Sequence, residues 1–172
     1  YFKMSTINAS TIQRDVISVQ VSMKNEDDIG NSTSFTNRTC INTSLVHFNN
    51  GGFTIDENGI TVPSAGFYVI GASLYYRSEQ ANDTNDRTCP EMRFYNHTQD
   101  AVLTGGGSIA AMGYCRNLNS SGYSGSRFSS SMITQIVELG VDKIKIQTRR
   151  SADSAQGVEI MQNSIMYMYK LQ

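Results

Sequence analysis

The chain has 172 residues, a net charge of −1 and a pI near 6.1. It is long enough for one full-sized domain and carries no global field favouring nucleic acid or an anionic membrane. No run approaches the ~20 apolar residues of a membrane span, so neither nucleic-acid binding nor membrane insertion is expected. No secretory signal pattern opens the chain, and its start at Tyr1 rather than Met suggests a fragment of a longer protein.

Composition points to β structure. The chain holds 21 Ser, 14 Thr, 14 Asn and 14 Gly against two Pro, which are turn formers and solvated strand residues. No 11-residue window repeats apolar positions at helical spacing.

In chain order, Asp15 to Met23 alternates Ile17, Val19, Val21 and Met23 with polar residues, the pattern of a half-buried strand. Residues 24 to 44 are polar and turn-rich and read as a long surface loop. Leu45 to Phe48 is a short strand ending in the turn signal "NNGG". Phe53 to Ile55 and Ile60 to Val62 flank "DENG" as a hairpin, with Asn58-Gly59 supplying turn residues that tolerate positive φ. Gly66 to Arg77 is the longest apolar strand, followed by a solvated loop and a strand from Glu91 to Tyr95. Residues 96 to 131 are glycine- and serine-rich, with one strand expected around Ser108 to Tyr114. Ile133 to Leu139 and Val141 to Thr148 alternate cleanly. A last strand is expected over Val158 to Leu171. Short strands separated by turn signals imply one sandwich or jelly-roll domain over residues 1–172, with no repeat or boundary.

Two strands are apolar on both faces. Tyr68, Ile70, Ala72, Leu74 and Tyr76 share one face, and Phe67, Val69, Gly71, Ser73 and Tyr75 the other. In the last strand Ile165, Tyr167, Tyr169 and Leu171 oppose Ser164, Met166, Met168 and Lys170. A solitary antiparallel sandwich wets the outer face of each sheet. A sheet apolar on both sides is therefore expected to be covered, by another subunit or by a loop folded over it. Phe67, Val69, Tyr75, Met166 and Met168 are the expected interface residues.

Several of these segments resemble the globular head of complement C1q and its relatives, which are joined structurally to the tumour necrosis factor superfamily. The shared pattern is Phe48-Asn49, Gly52-Phe53, and "GITVPSAGFYVI" with Pro63, Gly66, Tyr68 and Ile70, where the family usually has Phe at the position of Ile70. Leu139-Gly140-Val141-Asp142 is similar to the family's leucine-glycine-aspartate turn, with one inserted residue. "NSIMYMYKL" corresponds to the closing strand without the usual Phe-Ser-Gly-Phe wording. The likeness covers about residues 45–76 and 129–172. It implies a ten-stranded jelly roll, assembly as a homotrimer on a stem or fibre segment, and a binding role without catalysis.

Chemistry-bearing clusters are few. His47 and His97 lack the nucleophile signature of a Ser-His-Asp triad, and "GGGS" at 105–108 lacks the lysine of a phosphate loop. The runs at 26–28 and 82–86 offer oxygen ligands to calcium but lack the spacing of a helical hand, so they read as solvated loops and no metal site is expected. No other cofactor is implied. Cys40, Cys89 and Cys115 make an odd count. A Cys89–Cys115 bridge is expected in an oxidising setting, and reduced thiols in a cytoplasm. Seven glycosylation sequons, at Asn8, Asn31, Asn37, Asn42, Asn82, Asn96 and Asn119, mark either a glycosylated exterior or an Asn-rich surface that is never modified. The stretch "GYCRNLNSSGYSGSRF" places Tyr114, Arg116, Tyr123 and Arg127 among small polar residues, a mix suited to recognition. The expected function is the attachment head of a viral or phage spike or fibre, binding a host-surface glycan or protein receptor from a virion surface or extracellular position. The alternatives are a secreted or cell-surface adhesive head and a structural virion decoration protein.

Overall fold

The computed structural model describes residues 16–25, 32–78, 86–103, 111–117, 128–150 and 158–171, with backbone alone at 78, 86–88 and 115–117. The strands are β1 (Ser18–Met23), β2 (Thr36–Asn37), β3 (Ile41–Asn50), β4 (Thr54–Asp56), β5 (Gly59–Thr61), β6 (Gly66–Ser78), β7 (Asp86–Thr88), β8 (Pro90–Asn96), β9 (Ala101–Val102), β10 (Ala111–Met112), β11 (Cys115–Asn117), β12 (Phe128–Leu139), β13 (Lys143–Arg150), β14 (Val158–Ile160) and β15 (Ile165–Lys170). One sheet runs β12-β6-β15-β1-β3, and the other β10-β8-β13-β5-β4. These ten strands form a jelly-roll sandwich. β14 adds to β6, β2 to β13 and β9 to β8, while β11 and β7 form a separate ribbon.

The core follows from period-two alternation. β6 sends Tyr68, Ile70, Ala72, Leu74 and Tyr76 inward, all fully buried, to meet Phe94, Met92, Ile144 and Ile146 of the second sheet. Two of the buried polar groups on β6 are satisfied locally: Tyr68 Oη donates to the Ser64 carbonyl at 2.7 Å and Tyr76 Oη shares a 2.8 Å bond with Ser131. The Phe48-Asn49 step also has a physical role. The Asn49 amide bonds both the carbonyl (2.8 Å) and the N–H (3.1 Å) of Phe53, clamping the turn into β4. Asp142, in the turn between β12 and β13, is buried and accepts from the Gly140 N–H at 2.7 Å.

Several elements differ from the sequence reading. The expected loop over 24–44 contains β2, and β3 already begins at Ile41. Backbone pairing with β1 carries this polar edge strand, although most of its side chains are exposed. The expected final strand is two, because Met161 to Ser164 form a turn in which the Ser164 N–H bonds the Met161 carbonyl at 2.9 Å. The β4–β5 hairpin turns through Glu57-Asn58, and neither Asn58 nor Gly59 has positive φ. Gly59 is required for another reason: a Cβ there would lie 2.5 Å from the Ile144 carbonyl oxygen of the adjacent strand. Of the strand expected over 108–114, residues 108–110 fall outside the described residues, and the rest holds only the two-residue β10.

Candidate functional site

The register of the first sheet defines the composition of its outer face. Ile136, Val69 and Tyr169 stand side by side across β12, β6 and β15; Thr134, Gly71 and Tyr167 form the next row; Met132, Ser73 and Ile165 the one after. Met132 is 71% exposed, Ile136 61% and Phe67 53%. Val69 is buried between Ile136 and Tyr169, so it packs within the face rather than projecting from it. Tyr167 lies over Gly71, and its hydroxyl shares a 2.9 Å bond with Thr134. At the far end Tyr75 stacks on Phe128, with ring centroids 5.6 Å apart and planes 6° from parallel.

Beyond this apolar stripe β1 presents Ser18, Gln20 and Ser22, and Ser22 Oγ lies 2.8 Å from His47 Nε2 on β3. That Ser-His pair was not visible in the sequence, since its members are 25 residues apart. Among the described residues no carboxylate bonds the other ring nitrogen of His47 as the orienting acid of a triad would. An apolar centre beside a polar margin is the layout of a protein–protein interface. β12 is also the end strand of its sheet among the described residues, beside the apolar stripe.

Of the interface residues expected from the sequence, Phe67, Val69 and Tyr75 lie on this face. Met166 and Met168 do not. They pair with Ala72 and Ile70, the inward residues of β6, and are at most 1% exposed. Their neighbours Ile165, Tyr167 and Tyr169 take the outer positions instead. The sequence could not assign the faces of β15, because both carry large apolar side chains.

The second sheet contrasts with the first. Its outer face carries Glu91, Arg93 and Tyr95 from β8 and Lys143, Lys145, Gln147 and Arg149 from β13, cross-paired by register. Arg149 Nε donates to Glu91 at 2.8 Å, Arg93 Nε to Gln147 at 2.7 Å, and Gln147 Nε2 to Asn37 at 3.1 Å. Lys143 pairs with Asp56. Phe35 lies against both guanidinium groups, 3.9 Å from Arg93 and 4.5 Å from Arg149. A face that satisfies much of its polarity internally has little to gain from burial against an apolar partner.

Among the expected recognition residues, Tyr114 is half-exposed between β10 and β11, with its N–H donating to Ser129 Oγ at 2.7 Å. Arg116 is on β11, which lies against β6 and β12, but its side chain is outside the described residues. Tyr123 and Arg127 lie outside them as well. β11 sets Cys115 opposite Thr88, the residue before Cys89; the Cys115 side chain is not among those described, and the bridge stands as a proposal. The calcium runs at 26–28 and 82–86 lie outside the described side chains.

Of the sequons, Asn8, Asn31, Asn82 and Asn119 lie outside the described residues. Asn37 is exposed on β2 and Asn42 half-buried on β3. Asn96 is a correction: it is 1% exposed, points into the sandwich, and its Oδ1 accepts from the Gln99 N–H at 3.1 Å. A glycan has no room there.

No protein-family model matches the sequence, and no curated protein matches it. Solved structures do resemble it. The Eiger TNF from S. frugiperda aligns over 92% of this chain and 94% of its own, at 13% identity and a TM-score of 0.49. Murine APRIL aligns over 90% of this chain and 98% of its own, at 10% identity and a TM-score of 0.54. The APRIL alignment and the two five-stranded sheet paths agree: this chain has the jelly-roll fold of the tumour-necrosis-factor-like proteins.

Proposed function

We propose that the protein is a non-enzymatic, receptor-binding head that assembles as a homotrimer through the outer face of its first sheet. The observation that carries this reading is the apolar stripe of Phe67, Met132, Ile136 and Tyr169, large side chains left exposed by a single chain. Contiguous exposed apolar surface of this kind marks a site of association. A polar second sheet directs that association to one side of the sandwich. A heterologous contact, with the β12 edge of one copy set against the apolar face of the next, closes into a ring when the rotation per copy is a third of a turn.

The finer reading places three such heads at the end of a virion spike or fibre. Multivalent display there turns weak single sites for a host-surface glycan or protein into firm attachment. Tyr114 and Arg116, next to one end of the apolar face, and Tyr123 and Arg127 further along the same stretch, are the proposed contact residues. Sedimentation equilibrium tests the assembly: a trimer at micromolar concentration is expected, and a stable monomer overturns it. Binding to a glycan array that is lost in the Arg116→Ala/Tyr123→Ala variant supports attachment, whereas unaltered binding removes those residues from the site.

A further inference from the structure

The outer face of the second sheet holds four cations in adjacent positions, and only two have acidic partners. Lys143 is paired with Asp56 and Arg149 with Glu91. The other two, Arg93 and Lys145, have no carboxylate partner among the described residues. They lie diagonally across the β8–β13 ladder, since Arg93 opposes Gln147 and Tyr95 opposes Lys145. Diagonal neighbours on one sheet face are within reach of each other's long side chains. Arg93 uses Nε for Gln147 and rests against Phe35, and the outer nitrogens of its planar fork have no hydrogen-bond partner among the described residues.

Lys145 is the more telling residue. It is only 8% exposed, yet its ammonium has neither a hydrogen bond nor an ion pair among the described residues. Its stem runs close to Gly59, where an added Cβ would lie 3.2 Å from Lys145 Cγ. The covered part of Lys145 is its stem, and its ammonium shares a face with two neighbouring cations, so an added counter-charge is favoured there. Arg93 feels the same crowding: burial, and after it the charge of Arg149, hold its guanidinium below the usual value despite the opposing effect of Tyr95. A single oxyanion between the two side chains relieves both.

We propose that Arg93 and Lys145 form an oxyanion-binding site on the outer face of the second sheet, suited to the sulfate or carboxylate of an acidic saccharide. A guanidinium fork takes such a group in two parallel hydrogen bonds, and the ammonium adds a point charge. The setting favours a saccharide over an acidic peptide. β13 is an interior strand, paired with β8 on one side and with β5 and β2 on the other, so no edge is open for an added peptide strand. What surrounds the two cations is flat: the Phe35 ring, the Tyr95 ring and the Gln147 amide. This site lies on a different sheet from the association face and is present in a single copy of the chain, so it stands or falls separately from the trimer.

Calorimetric titration with a heparin-derived octasaccharide and a hyaluronan octasaccharide tests it, with poly-glutamate as the peptide rival. At least one saccharide is expected to bind, less tightly as salt is raised. Lys145→Gln and Arg93→Gln should each weaken binding at least about tenfold, while Lys143→Gln, whose charge serves Asp56, leaves it unchanged. Lys145→Arg, which keeps the charge, should retain binding and guards against misfolding of the neutral variant. On the unaltered protein, the amide resonances of Tyr95 and Gln147 should shift on saccharide addition. The proposal is overturned if neither saccharide binds, if poly-glutamate binds as tightly as either, or if folded Lys145→Gln binds as well as the parent.

Discussion

Tyr167 lies over Gly71 so closely that a methyl group at position 71 would sit 2.6 Å from its Cε1 and nearer still to Cζ and Oη. The missing side chain on β6 is thus filled by an aromatic ring from β15, tied to β12 through Thr134. Three strands of the outer face are joined by this one arrangement. Gly71→Ala forces the ring to swing outward. Because the ring ends a side chain with two torsions, the protomer should lose only about 1 kcal/mol in urea unfolding. The trimer should dissociate at markedly lower dilution, since the displaced ring disrupts the stripe. Unchanged assembly in this variant would remove Tyr167 from the interface.

Met132 and Ile136 separate folding from association. Both are mostly exposed in one chain, so Ile136→Asp and Met132→Glu should alter protomer stability by no more than about 0.5 kcal/mol. In sedimentation velocity the same variants are expected to run as monomers, because a charge at the centre of an apolar contact is left without water or partner.

Met166 and Phe67 should behave in opposite ways. Met166→Ala opens a cavity between the sheets and is expected to cost about 2–5 kcal/mol in denaturant unfolding. Phe67→Ser removes a ring that a single chain leaves exposed, so monomer stability should hardly change while assembly weakens. Equal losses from the two would mean that the faces of β6 and β15 are assigned wrongly.

Asp56 gives the hairpin a pH dependence. Burial, its largest single influence, pushes the carboxyl up. The Lys143 ammonium, as hydrogen-bond donor and as charge, together with the N–H groups of Asn58 and Gly59, outweighs it and holds Asp56 below its usual value. A depressed folded-state value means the contribution is present above the unfolded pKa of about 4 and is lost as pH falls through the lower folded value. Thermal melts of Asp56→Asn and the parent should therefore differ at pH 7 and converge once pH has fallen below the folded-state value. A gap that persists in acid would assign the effect to something other than the charge.

Most strands were legible from alternation and turn residues, and the inward row of β6 was read correctly position by position. The start of the edge strand β3, residues 41–44, was not, because an edge is held by backbone pairing and leaves no apolar signature in "INTS". The split between β14 and β15 was hidden for a different reason. Gln162-Asn163 is a weak turn signal inside an otherwise strand-like run, and the break follows from both pieces having to pair with β6. Gly59 stands out in the sequence as a turn residue tolerant of a φ it does not adopt; the structure requires it because of a strand adjacent in space and 85 residues away in sequence.

By itself, the sequence determined an all-β sandwich, the inward row of β6 and the excess of apolar surface on that strand, since a period of two is a local property that any strand must obey. Only the tertiary structure decided which side of β15 faces the core, that Asn96 is buried, that Ser22 meets His47, and that Arg93 and Lys145 are diagonal neighbours with no acidic partner among the described residues. Each of these depends on cross-strand register, and register is set by packing between segments far apart in the chain.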